Sequence, residues 1–111
     1  MFRSSVPEIT VQELKTLMDD GATPFILDVR EEREYEVANL NGTLIPLNQL
    51  PHRLEELEDH KDELIVVHCR SGARSAQAVR YMQSMGFDKA KNLKGGVLAW
   101  SRDIDPSMPT Y

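Results

Sequence analysis

Apolar positions along the chain follow two patterns that alternate. The first is the short continuous run: Phe25-Ile26-Leu27 leading through Asp28 to Val29, Thr43-Leu44-Ile45, and Leu64-Ile65-Val66-Val67. Runs of this kind, bounded by Pro24, Pro46 and charged residues, predict strands covered on both faces rather than one-sided strands. Pro7-Glu8-Ile9 and Ala90-Lys91-Asn92-Leu93 are shorter candidates for a first and a fifth strand. The second pattern is helical spacing: Val11, Leu14, Leu17 and Met18; Leu47, Leu50, Leu54 and Leu57; Ala78, Val79, Met82 and Met85. Strand and helix alternate, which predicts an α/β domain with a mainly parallel five-stranded sheet and helices on both faces.

Punctuation refines these elements. Thr10-Val11-Gln12-Glu13 has the spacing of a capping box, and Gly21 marks the end of the helix it opens. Arg30 to Val37 predicts a short charged helix with Tyr35 turned inward. Asn41-Gly42 is a hairpin signal, but a helix precedes it, so the pair turns the chain into the strand at Thr43. Pro51 falls early in the helix over Leu47–Leu57, where its missing N–H costs little. Gly86 closes the next helix, Gly95-Gly96 breaks the fifth strand, Val97–Arg102 forms a last helix anchored by Trp100, and Asp105–Tyr111 is an extended tail. No repeat or low-complexity stretch interrupts the order.

The chain has 111 residues, enough for a single domain over residues 1–111 with its own core. There are 13 Lys+Arg against 18 Asp+Glu, a net charge of −5, which argues against a nucleic-acid partner. Acidic residues gather at Glu31–Glu36 and Glu55–Glu63, as on solvated helix faces. No apolar run approaches a membrane span, and Met1 to Ser5 does not resemble the start of a signal peptide. A single cysteine excludes an internal disulfide framework and any multi-cysteine metal site, and it fits a reducing cytoplasm. His52 and His60 are expected at the surface, so neither a metal nor a cofactor is expected.

That cysteine changes the picture. Cys69 stands where a strand ends, followed by Arg70-Ser71-Gly72-Ala73-Arg74-Ser75 and then a helix. The first N–H groups of a helix lack intrahelical partners and favour an anion in front of them. A thiolate is such an anion, and helix N-termini and arginines lower a thiol's pKa. Arg70 and Arg74 supply charge, Gly72 permits a tight turn, and Ser71 and Ser75 add hydroxyls. Ligands in parallel α/β folds bind at the carboxyl ends of strands; Cys69 is at one such end and Asp28-Val29-Arg30 at another. Asp28 either hydrogen-bonds the loop or caps the turn after its strand. Arg30 either faces the loop or pairs with Glu34. Both are supporting residues. His68 is expected to face away from the thiolate, since neighbours on a strand point to opposite sides.

In order, Leu27-Asp28-Val29-Arg30 with Glu34-Tyr35, Gly42 to Pro46, Val67-His68-Cys69 through Ser75, Gly86-Phe87 and Leu93-Lys94-Gly95-Gly96 through Trp100 resemble a rhodanese domain nearly end to end. The pattern departs at Asn39-Leu40, where such domains often carry His-Ile. The segment from Gly95 to Tyr111 is similar to the carboxyl-terminal rhodanese domain of adenylyltransferase/sulfurtransferase proteins. The resemblance implies a sulfurtransferase: Cys69 accepts a sulfane sulfur as a persulfide and passes it to a thiophilic acceptor. It implies thiosulfate or a cysteine desulfurase persulfide as donor, and cyanide or a ubiquitin-like sulfur-carrier protein as acceptor.

Two other readings compete. A docking module with a dead loop would lack the nucleophile, yet Cys69, Gly72 and both arginines are present. A cysteine-dependent phosphatase places five residues between its cysteine and arginine. Here four residues, Arg70 to Ala73, separate Cys69 from Arg74, and Ser75 stands where the phosphatase arginine would be. The shorter ring of N–H donors suits one sulfur better than a tetrahedral phosphate.

Overall fold

The computed structural model describes residues 6–111; the expectation about Met1 to Ser5 lies outside them. Five strands form one sheet in the order β1-β5-β4-β2-β3, and every pairing is parallel. They are β1 (Glu8–Ile9), β2 (Phe25–Asp28), β3 (Thr43–Leu44), β4 (Ile65–His68) and β5 (Ala90–Leu93). The helices are α1 (Val11–Asp19), α2 (Glu32–Val37), α3 (Leu50–Arg53), α4 (Ala73–Ser84) and α5 (Gly96–Asp103).

Burial shows why the strand runs are continuously apolar. Side-chain alternation sends Leu27, Val29, Ile65 and Val67 to one face, where they meet Leu50, Leu57, Ala78, Val79, Met82 and Phe87. It sends Ile26 and Val66 to the other, where they meet Val11, Leu14, Ala99 and Trp100. A sheet sandwiched in this way has no wet face, so polar alternation never appears in β2 or β4. The capping box is present: Thr10 Oγ1 accepts the Glu13 N–H at 3.0 Å and Glu13 Oε1 accepts the Thr10 N–H at 2.8 Å.

Two elements differ from expectation. The stretch Leu47–His60 is not one helix but a 3-10 turn (Leu47–Gln49), α3, and a second 3-10 segment (Leu54–His60). Pro51 has no N–H to donate and its ring blocks the preceding turn, so the α-helix restarts there. Leu50 and Leu57 are buried in either geometry, because spacings of three and four serve both helix types. Second, α4 begins at Ala73, five residues before Ala78, the first member of its apolar repeat, so Ala73, Arg74 and Ser75 form its opening turn.

Among the described residues no helix is long and apolar enough to cross a membrane. β4 is central; the β2-to-β3 connection steps away from it on one side and the β4-to-β5 connection on the other, which puts its carboxyl end at the switch point of the sheet. The start of α5 closes over that point. Val97 and Leu98 donate their N–H groups to the Cys69 and Arg70 carbonyls, both at 3.0 Å. Only glycine permits this approach at position 96, since a Cβ there would lie 2.5 Å from the Cys69 carbonyl oxygen and 2.6 Å from that of Arg70. Gly96→Ala is therefore expected to lower unfolding free energy by roughly 1–3 kcal/mol in chemical denaturation, the usual scale for forced overpacking.

Candidate active site

β4 delivers Cys69 to the centre of the carboxyl edge, and the turn after it is bent by Gly72, whose φ of 112° lies in the left-handed region that favours glycine. This bend aims the opening turn of α4 back at the sulfur. Cys69 Sγ accepts the Gly72 N–H at 3.1 Å and the Ser75 N–H at 3.4 Å, and the Ser75 hydroxyl lies 3.4 Å away. Cys69 is 1% exposed and packs with the core cluster of Val29 and Val67. Burial alone raises the thiol pKa. The Ser75 hydroxyl and the backbone N–H groups of Ser75 and Gly72 outweigh it and bring the thiol below its ordinary value.

Asn92, on β5, is a member of this site that sequence reasoning missed. Its Oδ1 is 2.5 Å from Ser75 Oγ and its Nδ2 donates to the Gly72 carbonyl at 3.1 Å. A serine has one hydroxyl proton, so Ser75 can turn from Asn92 to the sulfur when the sulfur ionises. The available signal was a polar residue between Lys91 and Leu93, at the position that alternation from the exposed Lys91 turns inward.

The remaining predicted residues separate into two groups. Ser71 and Ala73 are exposed at the loop tip. Arg74 points its guanidinium at Glu34, Nη1 to Oε1 at 2.8 Å and Nη2 to Oε2 at 2.9 Å. This bidentate pair holds the Glu34 carboxyl down to about 2, with Arg74 as the main cause. Arg74 also lines a groove of about 490 Å³ whose walls include Leu47, Leu50, Pro51 and Tyr81.

Asp28 and Arg30 are wholly buried and bind each other, Arg30 Nη2 donating to Asp28 Oδ2 at 2.8 Å and Arg30 Nε to Oδ1 at 2.9 Å. Asp28 Oδ1 also accepts the Arg30 N–H at 3.0 Å, so it closes the turn after β2 and does not reach the loop. Arg30 does not pair with Glu34 either; Arg74 occupies that carboxylate, and Arg30 donates instead to the Ala38 carbonyl at 2.7 Å. Asn39, at the departure from the family pattern, binds locally, donating to the Tyr35 carbonyl and accepting the Asn41 N–H.

Fold and loop together define a class: a parallel α/β domain that cradles a buried cysteine sulfur among N–H and hydroxyl donors at its switch point. The chain belongs to the rhodanese-like domain family, whose model matches residues 10–103. The "Adenylyltransferase and sulfurtransferase MOCS3-1" of Zea mays is 39% identical over 109 residues, covering 93% of this chain and 23% of that protein. The "Putative sulfur carrier protein YrkF" of Bacillus subtilis is 40% identical over 99 residues, 88% of this chain and 52% of that protein. The chain thus spans about a quarter of the first relative and about half of the second. The crystal structure of a rhodanese-like domain protein from Staphylococcus aureus superposes with a TM-score of 0.78 at 34% identity, covering 85% of this chain and 90% of that one.

His68 shares the face of Val66, opposite Cys69, and both its ring nitrogens are buried without a hydrogen-bond partner. Burial lowers its pKa; Asp28, with Oδ2 3.7 Å from Nε2, opposes this only in part. The unfolded chain takes up a proton near pH 6.5 that the native chain refuses, so the stability of neutral His68 is complete above pH 6.5 and is lost as pH falls toward the lowered native value. Glu34 contributes its own loss only below the ordinary carboxyl value of 4.5, toward about 2. Denaturant unfolding at a series of pH values is expected to show stability falling between 6.5 and 4.5, and His68→Phe is expected to flatten that interval.

Proposed function

We propose that this domain transfers sulfur through a persulfide on Cys69. The observation that carries the reading is the set of donors on Cys69 Sγ: two backbone N–H groups and one hydroxyl in a buried site, which favour an anionic sulfur. With thiosulfate, the Cys69 thiolate attacks the outer sulfane sulfur. A new S–S bond forms, the bond to the sulfite sulfur breaks, and sulfite leaves with that electron pair. The persulfide that remains is itself an anion, its outer sulfur about 2 Å beyond Sγ. A nucleophile such as cyanide attacks that outer sulfur, leaves as thiocyanate, and the thiolate returns. Charge balances in both steps, and neither consumes an oxidant.

The N–H donors do the stabilising work because they are fixed before the reaction and aimed where negative charge resides. Arg70, next to Cys69 and without a carboxylate side-chain partner among the described residues, attracts an anionic donor. Cys69 is nearly inaccessible while Ser71 and Ala73 are exposed, a geometry that admits a small donor or a thin chain end better than a folded surface. We favour the flexible tail of a ubiquitin-like sulfur carrier as the acceptor and, as the cellular donor, a protein persulfide presented on an extended loop, such as that of a cysteine desulfurase. The words sulfurtransferase in the name of MOCS3-1 and sulfur carrier in that of YrkF support sulfur transfer that involves a carrier. A reactive thiol of this kind works in a reducing compartment, and we place it in the cytoplasm.

Incubation with thiosulfate should add one sulfur atom to the intact mass, removable by reductant, and added cyanide should yield thiocyanate. Cys69→Ser should show neither, with turnover at the uncatalysed background. Full loading of the serine variant would remove Cys69 from the mechanism.

A further inference from the structure

Three arginines surround the loop, and each is held differently. Arg30 is balanced by Asp28, and Arg74 by Glu34. Arg70 meets no carboxylate side chain among the described residues. Its partner is Tyr111. Arg70 Nε donates to the Tyr111 main-chain oxygen at 2.8 Å, Nη2 donates to the same oxygen, and the guanidinium carbon is 5.3 Å from the Tyr111 ring centroid.

Tyr111 is itself fixed. Its ring also lies 5.8 Å from the Arg30 guanidinium carbon. Its hydroxyl accepts from Arg30 Nη1 at 2.7 Å and donates to Glu34 Oε2 at 2.8 Å. Upstream, the Ser101 hydroxyl donates to the Met108 carbonyl at 3.0 Å, and Met108 packs against the cluster containing Trp100. One side chain thus joins the groups that hold all three arginines: Arg30 and Arg70 directly, and Arg74 through Glu34.

The way Arg70 is held leaves it usable. A guanidinium has five N–H donors, and the bonds to Tyr111 use only Nε and Nη2. The two N–H groups of Nη1 remain for an anion. An exposed arginine loses rotamer freedom when it binds, and one already ordered loses less, so the same contact yields tighter binding.

We infer that Tyr111 is a positioning residue that pre-orders Arg70 for an anionic sulfur donor, and so sets donor affinity rather than the rate of sulfur transfer. This rests on the sulfur-transfer reading above. Tyr111→Ala removes the ring and loosens the main-chain oxygen. Tyr111→Phe keeps both and loses only the hydroxyl bonds, while the Glu34–Arg74 pair stays bidentate.

The test is steady-state thiosulfate:cyanide kinetics on the full chain. Tyr111→Ala, and Tyr111→Leu should the alanine variant not fold, are expected to raise KM for thiosulfate about fivefold with kcat within about twofold, the scale of a lost cation–π contact and its preorganisation. Tyr111→Phe is expected to keep KM within about twofold. Arg70→Ala/Tyr111→Ala is expected to match Arg70→Ala alone, because Tyr111 acts through Arg70. A fall in kcat at constant KM, or multiplying losses in the double variant, would overturn the assignment. Thiosulfate affinity measured by calorimetry in Cys69→Ser, with and without Tyr111→Ala, reads the same point without turnover. Weaker binding with alanine supports the role; equal binding, or none in either protein, overturns it. Failure of the native chain to gain sulfur by mass would count against the sulfur-transfer reading instead.

Discussion

An ionised sulfur inside a protein is stable only if fixed donors replace the water it has lost. The structure is arranged around that constraint. β4 is the middle strand of a sheet covered on both sides, so its end is the most enclosed place on the carboxyl edge. Placed there, Cys69 is held against ionisation by burial and drawn toward it by Gly72 and Ser75, and the donors prevail. Every nearby oddity serves the same end. The left-handed Gly72 aims the first turn of α4 at the sulfur, Asn92 holds Ser75 and the Gly72 carbonyl, and the start of α5 takes up the carbonyls of the loop.

Around this inner set lies a ring of charge. Asp28 with Arg30, and Glu34 with Arg74, are paired and buried or half-buried, so they act as fixed struts rather than as binding groups. Breaking one partner of such a pair leaves the other uncompensated, which is costlier than the pair's net contribution suggests. Arg70 differs from both: among the described residues it meets no carboxylate side chain and is held by Tyr111 instead.

The elements that the sequence revealed are those whose signal is local. β2 and β4 stand out because both faces are buried and their polar residues, Asp28 and His68, come only at the carboxyl ends. Cys69 and its loop stand out because a glycine, two arginines and two serines are dense around one thiol. Distant relations were not legible. Arg74 meets Glu34 across 40 positions, Ser75 meets Asn92 across 17, and Tyr111 meets Glu34 across 77. Nothing in the spacing of these residues announces the contact. The early start of α4 was hidden for another reason: Ala73, Arg74 and Ser75 carry no apolar stripe, and they are helical because Gly72 turns the chain into them. The leucines from Leu47 to Leu57 misled in the opposite sense, since spacings of three and four leave 3-10 and α segments indistinguishable until Pro51 is weighed.

The central claim is that the cradle holds Cys69 as a thiolate more readily than water does. Following the ultraviolet absorbance of the thiolate as a function of pH tests it directly, because Cys69 is the only cysteine in the chain. The account predicts a midpoint below the ordinary thiol value of 9.0 that moves upward in Ser75→Ala, where the hydroxyl donor is lost. A midpoint at or above 9.0 in the native protein, or one indifferent to Ser75, would contradict it.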